Sequence, residues 1–523
     1  MGHVTKISGR RYFCTKYAKK LLFATYFVSM QLYSFSPNDP QGVQQAVEAH
    51  LRAFTASYFG LEPEGEGETE AVAGILAGLS DVPDAEQETA VASLAAYLHS
   101  DAAGELLLLR GSAGTGKTSL MRGLVHYLRQ LGRTVVLLAP TGRAAKVLAA
   151  RTGAQASTVH RQIYMLEERL DKGGQLSGFS FLLKHFESEE PVVFVVDEAS
   201  MVNSMPTKEG QYHMNGLLPD LLQHVFGASG WNRLLLVGDP YQLPPVHEID
   251  SAALNRARLQ AFGHGVREID LQVVKRQGSQ SGILQLATQI REAIRTKQAP
   301  DYLQELEGDV LEVQSTEAAL ERYLDLYRRN PDSVVFVTYS NFWAHRLNVR
   351  IRKALHPEAG RLPLPGEQLM VVRNHFLKNR DFIANGETLQ LEALEPEIEE
   401  YAGLQWLKAE FSYTDLKGHR QYLRQRVLFD LLNSKEASLG AADWQALWRA
   451  RRHAETFGTY DPYLNALHLK YAYAITGHKS QGGEWPHVFV LMEKAYGGEQ
   501  QHLRWLYTAV TRAKSQLYLV RAV

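Results

Sequence analysis

The chain has 523 residues, 45% of them hydrophobic and 22% charged, which places it among ordinary globular proteins and gives it length for more than one domain. A formal net charge of −1 carries no global basic excess, so any nucleic-acid contact has to come from a local groove and not from bulk charge. A single cysteine, Cys14, excludes an internal disulfide framework and a cysteine-clustered zinc site and suits a reducing, cytoplasmic setting; no apolar run approaches the roughly 20 residues of a membrane span.

The first thirty residues carry Lys6, Arg10, Arg11, Lys16, Lys19 and Lys20, with no acidic residue before Met30 and an apolar run over 21–28. No small-residue cleavage site follows that run, so the stretch reads as a disordered extension ahead of Met30, with a nucleic-acid-touching arm as the alternative. The spacing of Val43, Val47, Leu51 and Phe54 predicts a helix over 41–59. Glu62, Glu64, Glu66, Glu68 and Glu70 then alternate with Pro63, Gly65 and Gly67, the composition of a solvated linker. Residues 1–66 are thus expected to be an extension, a short helix and an acidic linker.

Residues 105–109 are an apolar run that predicts a buried strand, and Leu120, Leu124 and Leu128 predict a helix over 119–128. Between them lies Gly111-Ser112-Ala113-Gly114-Thr115-Gly116-Lys117-Thr118, which fits the phosphate-loop pattern G-x-x-x-x-G-K-[ST] in its confirming strand-to-helix context. Glycines there let backbone N–H groups wrap phosphates, and the helix start adds a positive dipole end. Lys117 is expected at the β- and γ-phosphates of ATP and the Thr118 hydroxyl on Mg²⁺. A chance glycine-rich turn is the alternative, and the flanks argue against it.

Apolar runs over 134–139, 192–196 and 234–237 are spaced as in a parallel sheet. The second runs into Asp197-Glu198-Ala199-Ser200, carboxylates at the C-terminal end of a buried strand. Asp197 is placed to hold Mg²⁺ and Glu198 to polarise the attacking water. The third leads into Gly238-Asp239-Pro240-Tyr241-Gln242-Leu243-Pro244-Pro245, where the Gln242 amide is placed to sense the γ-phosphate. Either element alone is as readily an ordinary acidic turn. Together, downstream of the phosphate loop, they predict a nucleotide hydrolase.

These three motifs resemble those of superfamily 1 DNA helicases, and the last resembles the RecD-like and Pif-like branch, superfamily 1B. Ala139-Pro140-Thr141-Gly142-Arg143-Ala144-Ala145 and Thr158-Val159-His160-Arg161 are similar to that branch's first-domain DNA-contacting motifs. Gln87 resembles its adenine-reading glutamine. Ala474-Ile475-Thr476-Gly477-His478-Lys479-Ser480-Gln481-Gly482 resembles motif V, and Leu506-Tyr507-Thr508-Ala509-Val510-Thr511-Arg512-Ala513 resembles motif VI. The resemblance covers roughly residues 80–523 with the motifs in family order. It implies DNA contacts from Pro140, Thr141, Thr158, His160, Thr476, His478, Lys479 and Ser480, and γ-phosphate contacts from Arg276 and Arg512. Val274-Lys275-Arg276-Gln277 departs from the pattern, since an aromatic residue commonly precedes that arginine and Lys275 stands there.

Lys117, Arg276 and Arg512 fit one site because hydrolysis needs cations against charge spread over the transferring phosphoryl group. The two arginines lie far along the chain, in a region with strand candidates at 333–338, 487–492 and 516–520. The expected fold is α/β: two RecA-like parallel-sheet domains, 67–268 and 269–523, with a β-hairpin inserted in the first and a small β-barrel-like insertion in the second. The hairpin is expected over 161–190, turning at Lys172-Gly173-Gly174-Gln175 with Phe179, Phe181 and Phe186 around it. The barrel-like insertion is expected over 366–463, with an Asn385-Gly386 turn and a solvated acidic loop between Glu392 and Glu400. His419, Arg420, Tyr422, Arg424 and Arg426, and then Trp444, Trp448, Arg449, Arg451, Arg452 and His453, suit a single-strand track. They equally suit a helix that packs Trp444 and Trp448 inward.

The resemblance implies an ATP-driven, Mg²⁺-dependent DNA helicase that moves 5′-to-3′ on single-stranded DNA and opens duplex junctions, with no membrane partner and with protein partners left open. The alternative is a DNA-stimulated ATPase serving as a motor subunit or remodeller that does not unwind alone. A small-substrate kinase would need no second arginine-bearing domain.

Overall fold

A computed structural model describes residues 66–170, 176–209, 212–214, 216–227, 229–274, 281–298, 308–377, 382–416, 418–452, 461–493 and 498–521. The basic N-terminal stretch and the helix expected over 41–59 lie outside the described residues. The described residues form two compact units, one from 66–101 with 119–131 and one from 102–118 with those from 132 to 521.

The first unit is helical over its described residues. Glu66–Ala77 is a helix that takes in Glu66, Glu68 and Glu70. Its glutamates favour a helix start, and Ala71, Val72 and Ile75 give it a buried face. Asp84 caps the next helix, Ala85–Leu98, by accepting the Gln87 N–H at 2.8 Å. Glu66–Ala77 crosses Lys117–Gln130 so closely that a Cβ on Gly74 would lie 2.2 Å from the Tyr127 ring, and one on Gly123 2.5 Å from the Ile75 carbonyl. Glycine is required at both positions.

The second unit contains two parallel sheets. The first has six strands in the order Gly265–Leu271, Glu105–Gly111, Arg233–Gly238, Val193–Val196, Val135–Ala139 and Ala156–Thr158. Leu106 to Leu109 and Val193 to Val196 are buried along their whole length, which explains why they read as unbroken apolar runs and not as alternation. This order brings Gly111, Asp197 and Gly238 to the carboxyl edge of neighbouring strands. The second sheet has five strands, in the order Val310–Val313, Ala513–Arg521, Trp485–Met492, Val334–Thr338 and Ala474–Thr476. Every pairing in both sheets is parallel.

Strands Tyr164–Leu170 and Leu176–Leu183 pair antiparallel as the expected hairpin, while Lys172, Gly173, Gly174 and Gln175 lie outside the described residues. Phe186 packs edge-on against Phe194 at 5.1 Å in the core of the first sheet. The side chains of Phe179 and Phe181 lie outside the described set. A second short hairpin, Thr207–Glu209 with Tyr212–Met214, gave no signal in the sequence because three-residue strands show no usable period.

The insertion in the second domain is an antiparallel six-stranded sheet: Glu399–Tyr401, Leu404–Thr414, Thr388–Leu394, Gln368–Val371 and Leu469–Tyr471 in order, with Arg420–Leu428 also on Leu404–Thr414. Bonds from Leu428 N–H to the Leu467 carbonyl (3.0 Å) and from Leu467 N–H to the Arg426 carbonyl (2.8 Å) curl it into a partial barrel. Its last strand lies past residue 463, where the insertion was expected to end. Only residues 395–398 of the acidic stretch 392–400 form a largely exposed loop. The stretch also holds parts of two strands, and Glu392 pairs with Arg420 (2.6 Å), Glu395 with Arg424, and Glu399 with Arg426 (2.7 Å). Those arginines are therefore balanced across the strands. Helix Ala441–Arg452 packs Leu447, Trp444 and Trp448 onto the cluster around Trp406 and Leu428, with Trp444 stacked on His468 at 5.6 Å. For these tryptophans the inward packing holds.

Candidate functional site

Strand Glu105–Gly111 ends in the phosphate loop, and Lys117 opens the following helix. Gly114 and Gly116 take φ of 83° and 89°, the left-handed region that glycine alone enters without penalty. Lys117 Nζ donates to the carbonyls of Gly111 (2.6 Å) and Ser112 (2.9 Å), so its ammonium lies across the loop mouth. Thr118 is half-buried in the first turn of the helix.

Two strands over, Asp197 follows Val193–Val196 and accepts the Glu198 N–H at 2.9 Å. Glu198 sits at φ 52°, ψ 37°, a left-handed conformation that a non-glycine residue adopts at a cost and that clusters at functional sites. Burial pushes its carboxyl up to about 7, while the nearby Arg512 and Lys117 charges pull it down. Asp197 is likewise raised by burial and opposed by Lys117.

The loop after Arg233–Gly238 completes this edge. Asp239 is buried and accepts the Tyr241 N–H at 3.0 Å and the Tyr507 hydroxyl at 2.7 Å. Gln242 is buried, and its Oε1 has no hydrogen-bond partner among the described residues, a placement that calls for a ligand or water. Arg512 is 4% exposed and donates to the Thr508 carbonyl (3.0 Å), the Gly483 carbonyl (3.2 Å) and Thr511 Oγ1 (3.1 Å), within electrostatic reach of Glu198. Arg276 lies outside the described residues. Gln87 is buried in the helical unit.

A cavity of about 530 Å³ opens on another side of the same two domains, lined by Pro140, Thr141, Thr158, His160, Thr476, His478 and Lys479. Asn374, Phe382, Ala384 and Asn385 of the insertion line it as well. Thr141 caps helix Gly142–Thr152 by accepting the Ala144 N–H at 3.2 Å, and Thr158 accepts the Arg161 N–H at 3.2 Å. Helices Leu217–Phe226 and Asn341–Leu355 also begin at this wall, since Leu217 and Asn341 line it. Helix starts carry partial positive charge and orphan N–H groups, which favour an anionic backbone. Burial lowers the Lys479 ammonium to about 8 and the His160 imidazole to about 4, and it lowers His478 in the same direction. Ser480 is fully buried, gives its hydroxyl to the Gly477 carbonyl at 2.7 Å and does not line the cavity.

The cavity and the nucleotide residues share a strap. Gln481, which lines the cavity, donates to the Leu243 carbonyl at 2.9 Å, and the Leu243 N–H donates to Thr508 Oγ1 at 2.9 Å. Arg504 bonds the Pro240 carbonyl. A row of contacts also ties helix Gly142–Thr152 to the second domain and its insertion: Lys146 to Glu387 (2.8 Å), Arg151 to Glu484 (2.5 Å), and the Arg143 guanidinium 4.6 Å from the Trp485 ring centre. Gln481, Thr508 and Tyr507 lay inside the recognised motifs without a role of their own. Arg291, whose Nη1 donates to Ser112 Oγ at 2.8 Å, carried no sequence signal.

Two family models match the chain: an AAA domain over residues 83–307 and a UvrD-like helicase C-terminal domain over 471–520. The ATP-dependent RecD2 DNA helicase of Deinococcus radiodurans is 26% identical over 413 residues, covering 79% of this chain and 46% of the relative. An uncharacterised protein of Methanocaldococcus jannaschii is 29% identical over 151 residues, covering 27% of this chain and 11% of the relative. The chain thus spans less than half the length of the curated relatives it matches. Among solved structures, the Pif1 helicase from Bacteroides in complex with ADP-AlF3 and ssDNA gives 16% identity, a TM-score of 0.43, and coverage of 84% of this chain and 92% of that one. The Pif1 helicase from Candida albicans gives 17%, 0.42, 85% and 95%.

Fold and site define a phosphate-loop protein with two parallel sheets, acidic residues at the carboxyl edge of the first and a buried arginine beside the second. Within that class the chain is similar to the RecD2 relative, and two stretches of it match the AAA-domain and UvrD-like helicase C-terminal models.

Proposed function

We propose that the chain is an ATP-dependent DNA helicase that moves 5′-to-3′ along single-stranded DNA and opens duplex junctions. The observation that carries this reading is the strap. Gln481 reaches from the cavity wall to Leu243, beside Gln242 and Asp239 of the nucleotide edge, so a change at either site is felt at the other. The curated relative's description as an ATP-dependent DNA helicase supports the same reading.

In this account the backbone N–H groups of Gly111, Ser112, Ala113, Gly114, Thr115 and Gly116 take the phosphates, and Lys117 and Arg512 offset charge that spreads in the transition state. Gln87 reads the adenine, and Arg276 adds a second γ-phosphate contact. Glu198 accepts the proton of the attacking water, a role suited to a carboxyl whose affinity for protons is raised towards neutrality. The Gln242 Oε1 orients that water. The Thr118 hydroxyl and the Asp197 carboxylate are hard oxygen donors of the kind Mg²⁺ takes. Bound there, Mg²⁺ neutralises phosphate charge.

The cavity holds the DNA backbone through Pro140, Thr141, Thr158, His160, Thr476, His478 and Lys479, and Ser480 braces its turn from behind. Alternating grip by the two domains advances the chain, and the hairpin over 164–183 parts the strands. The test is strand displacement on duplexes with a single-stranded tail at one end only. Opening of the 5′-tailed duplex with the 3′-tailed one left closed is expected. The reverse preference overturns the direction, and no opening of either favours the motor-subunit alternative.

A further inference from the structure

Two side chains of the second domain reach the phosphate loop itself, separately from Arg512. Arg291 Nη1 donates to Ser112 Oγ at 2.8 Å. The Tyr507 hydroxyl donates to Asp239 Oδ2 at 2.7 Å and accepts the Ala113 N–H at 3.1 Å. Ser112 and Tyr507 are buried, so both contacts exclude water. Lys117 identifies which end of the loop they hold. Its ammonium, the group that pairs with the outer phosphates in such loops, lies 2.9 Å from the Ser112 carbonyl. Ser112 and Ala113 therefore flank the γ-phosphate end.

Both side chains are fixed to one body. Arg291 stands on helix Gly282–Thr296, whose Ile283, Leu286, Ala287, Ile290 and Ile294 share a core with Leu506 and Tyr507 of helix Glu499–Val510. They move together when the second domain moves. Tyr507 also keeps its proton, since burial and the adjacent Asp239 carboxylate hold the phenol well above its ordinary value. It thus remains a donor to Asp239 and an acceptor for Ala113.

An amide has a single proton to donate. A γ-phosphate oxygen seated in the loop and the Tyr507 oxygen compete for the Ala113 N–H. We infer that Tyr507 and Arg291 are positioning residues that report the γ end of the loop to the second domain. Filling that end displaces Tyr507 from Ala113 and shifts helix Glu499–Val510, which carries the Thr508 and Arg504 contacts to Leu243 and Pro240. A diphosphate leaves the bond in place. The inference rests on the ATP-hydrolase reading above and adds how the triphosphate is distinguished from the diphosphate.

The test uses the full chain with Mg²⁺, and AMP-PNP and ADP as probes of affinity. Tyr507→Phe removes one oxygen atom and leaves the ring packed. It is expected to tighten AMP-PNP relative to ADP by roughly two- to tenfold, the worth of one hydrogen bond that no longer has to break. In turnover, KM and DNA-stimulated kcat fall together, because binding no longer drives the helix. Arg291→Ala is expected to lower stimulated kcat, and Arg291→Lys, which keeps a cationic donor on the same helix face, to recover part of it. An AMP-PNP to ADP ratio unchanged in Tyr507→Phe overturns the inference, as does equal loss in Arg291→Lys and Arg291→Ala. The affinity ratio is read without turnover, so a wild-type chain that binds both nucleotides but never hydrolyses ATP overturns the helicase reading and leaves this test standing.

Discussion

The nucleotide edge and the cavity proposed to hold the strand belong to the same two domains and are made of different materials. The first packs formal charges together: Lys117, Asp197, Glu198, Asp239 and Arg512, with Glu198 held in a strained backbone conformation. The second is lined by hydroxyls, amides, apolar side chains such as Met201, Val246 and Phe382, two imidazoles whose proton affinity is lowered, the Arg143 guanidinium, one ammonium lowered to about 8, and the starts of helices. The difference follows from the tasks. Phosphoryl transfer concentrates developing charge at one point, and fixed charges in a site that excludes water stabilise it most. A strand that must be released at every step is better held by dipoles than by many ion pairs. A net charge of −1 is compatible with a nucleic-acid motor for that reason.

The largest expected effect breaks the charged side of this comparison. Glu198→Gln keeps the shape and removes the base, so ATP binding stays while hydrolysis falls by about 10²- to 10⁴-fold. Lys117→Ala is expected to cost about 10²- to 10³-fold. Both are checked by steady-state phosphate release. A near wild-type rate in Glu198→Gln would move the catalytic base elsewhere.

The next effect sharpens the dipolar side. Lys479 is charged below about 8 and neutral above it. Single-strand affinity is therefore expected to fall as pH rises from about 7 to about 9, as the fraction of charged ammonium drops. Lys479→Ala should flatten that dependence and reduce the salt slope by about 0.7, one phosphate contact on a single strand. Fluorescence anisotropy with a labelled oligonucleotide over a pH and salt series measures both. A slope that stays the same in Lys479→Ala would show that other cations carry the contact.

The smallest effect concerns the bridge that closes the cavity wall. Glu387 is buried against Lys146 and also accepts the Ala384 N–H at 3.0 Å. Glu387→Gln retains an acceptor but removes the charge. A part-exposed pair is worth up to about 1 kcal/mol, so strand dissociation in stopped flow is expected to quicken by no more than about fivefold.

The two regions also differed in how far the sequence disclosed them. Phosphate chemistry admits few substitutes, so Lys117, Thr118, Asp197 and Glu198 stood out by residue type, spacing and position after buried strands, whereas Arg512 was marked only by the motif it resembles. Buried parallel strands were legible for a related reason, since two covered faces leave an unbroken apolar run. Contacts made by geometry left no such trace. Arg291 reads as any arginine on an amphipathic helix until the fold brings it to Ser112. Ser480 sits in the right motif and turns inward. The glutamates of 392–400 have the composition of a loop, and only strand pairing with 420–426 shows them to be partners of arginines. The alternatives for Trp444 and Trp448 were separated by the core around Trp406, which the local sequence does not encode.

The central claim is that occupancy of the cavity sets the rate at the nucleotide edge. Its most direct measurement is ATP turnover by the wild-type chain and by Gln481→Ala against rising concentrations of a single-stranded oligonucleotide. The account predicts roughly 5- to 150-fold stimulation in the wild type, the usual range of coupling between two sites. In Gln481→Ala, which loses the bond to Leu243, most of that stimulation disappears although the oligonucleotide still binds. A wild-type rate that is the same with and without DNA, or a Gln481→Ala chain stimulated as fully as the wild type, contradicts it.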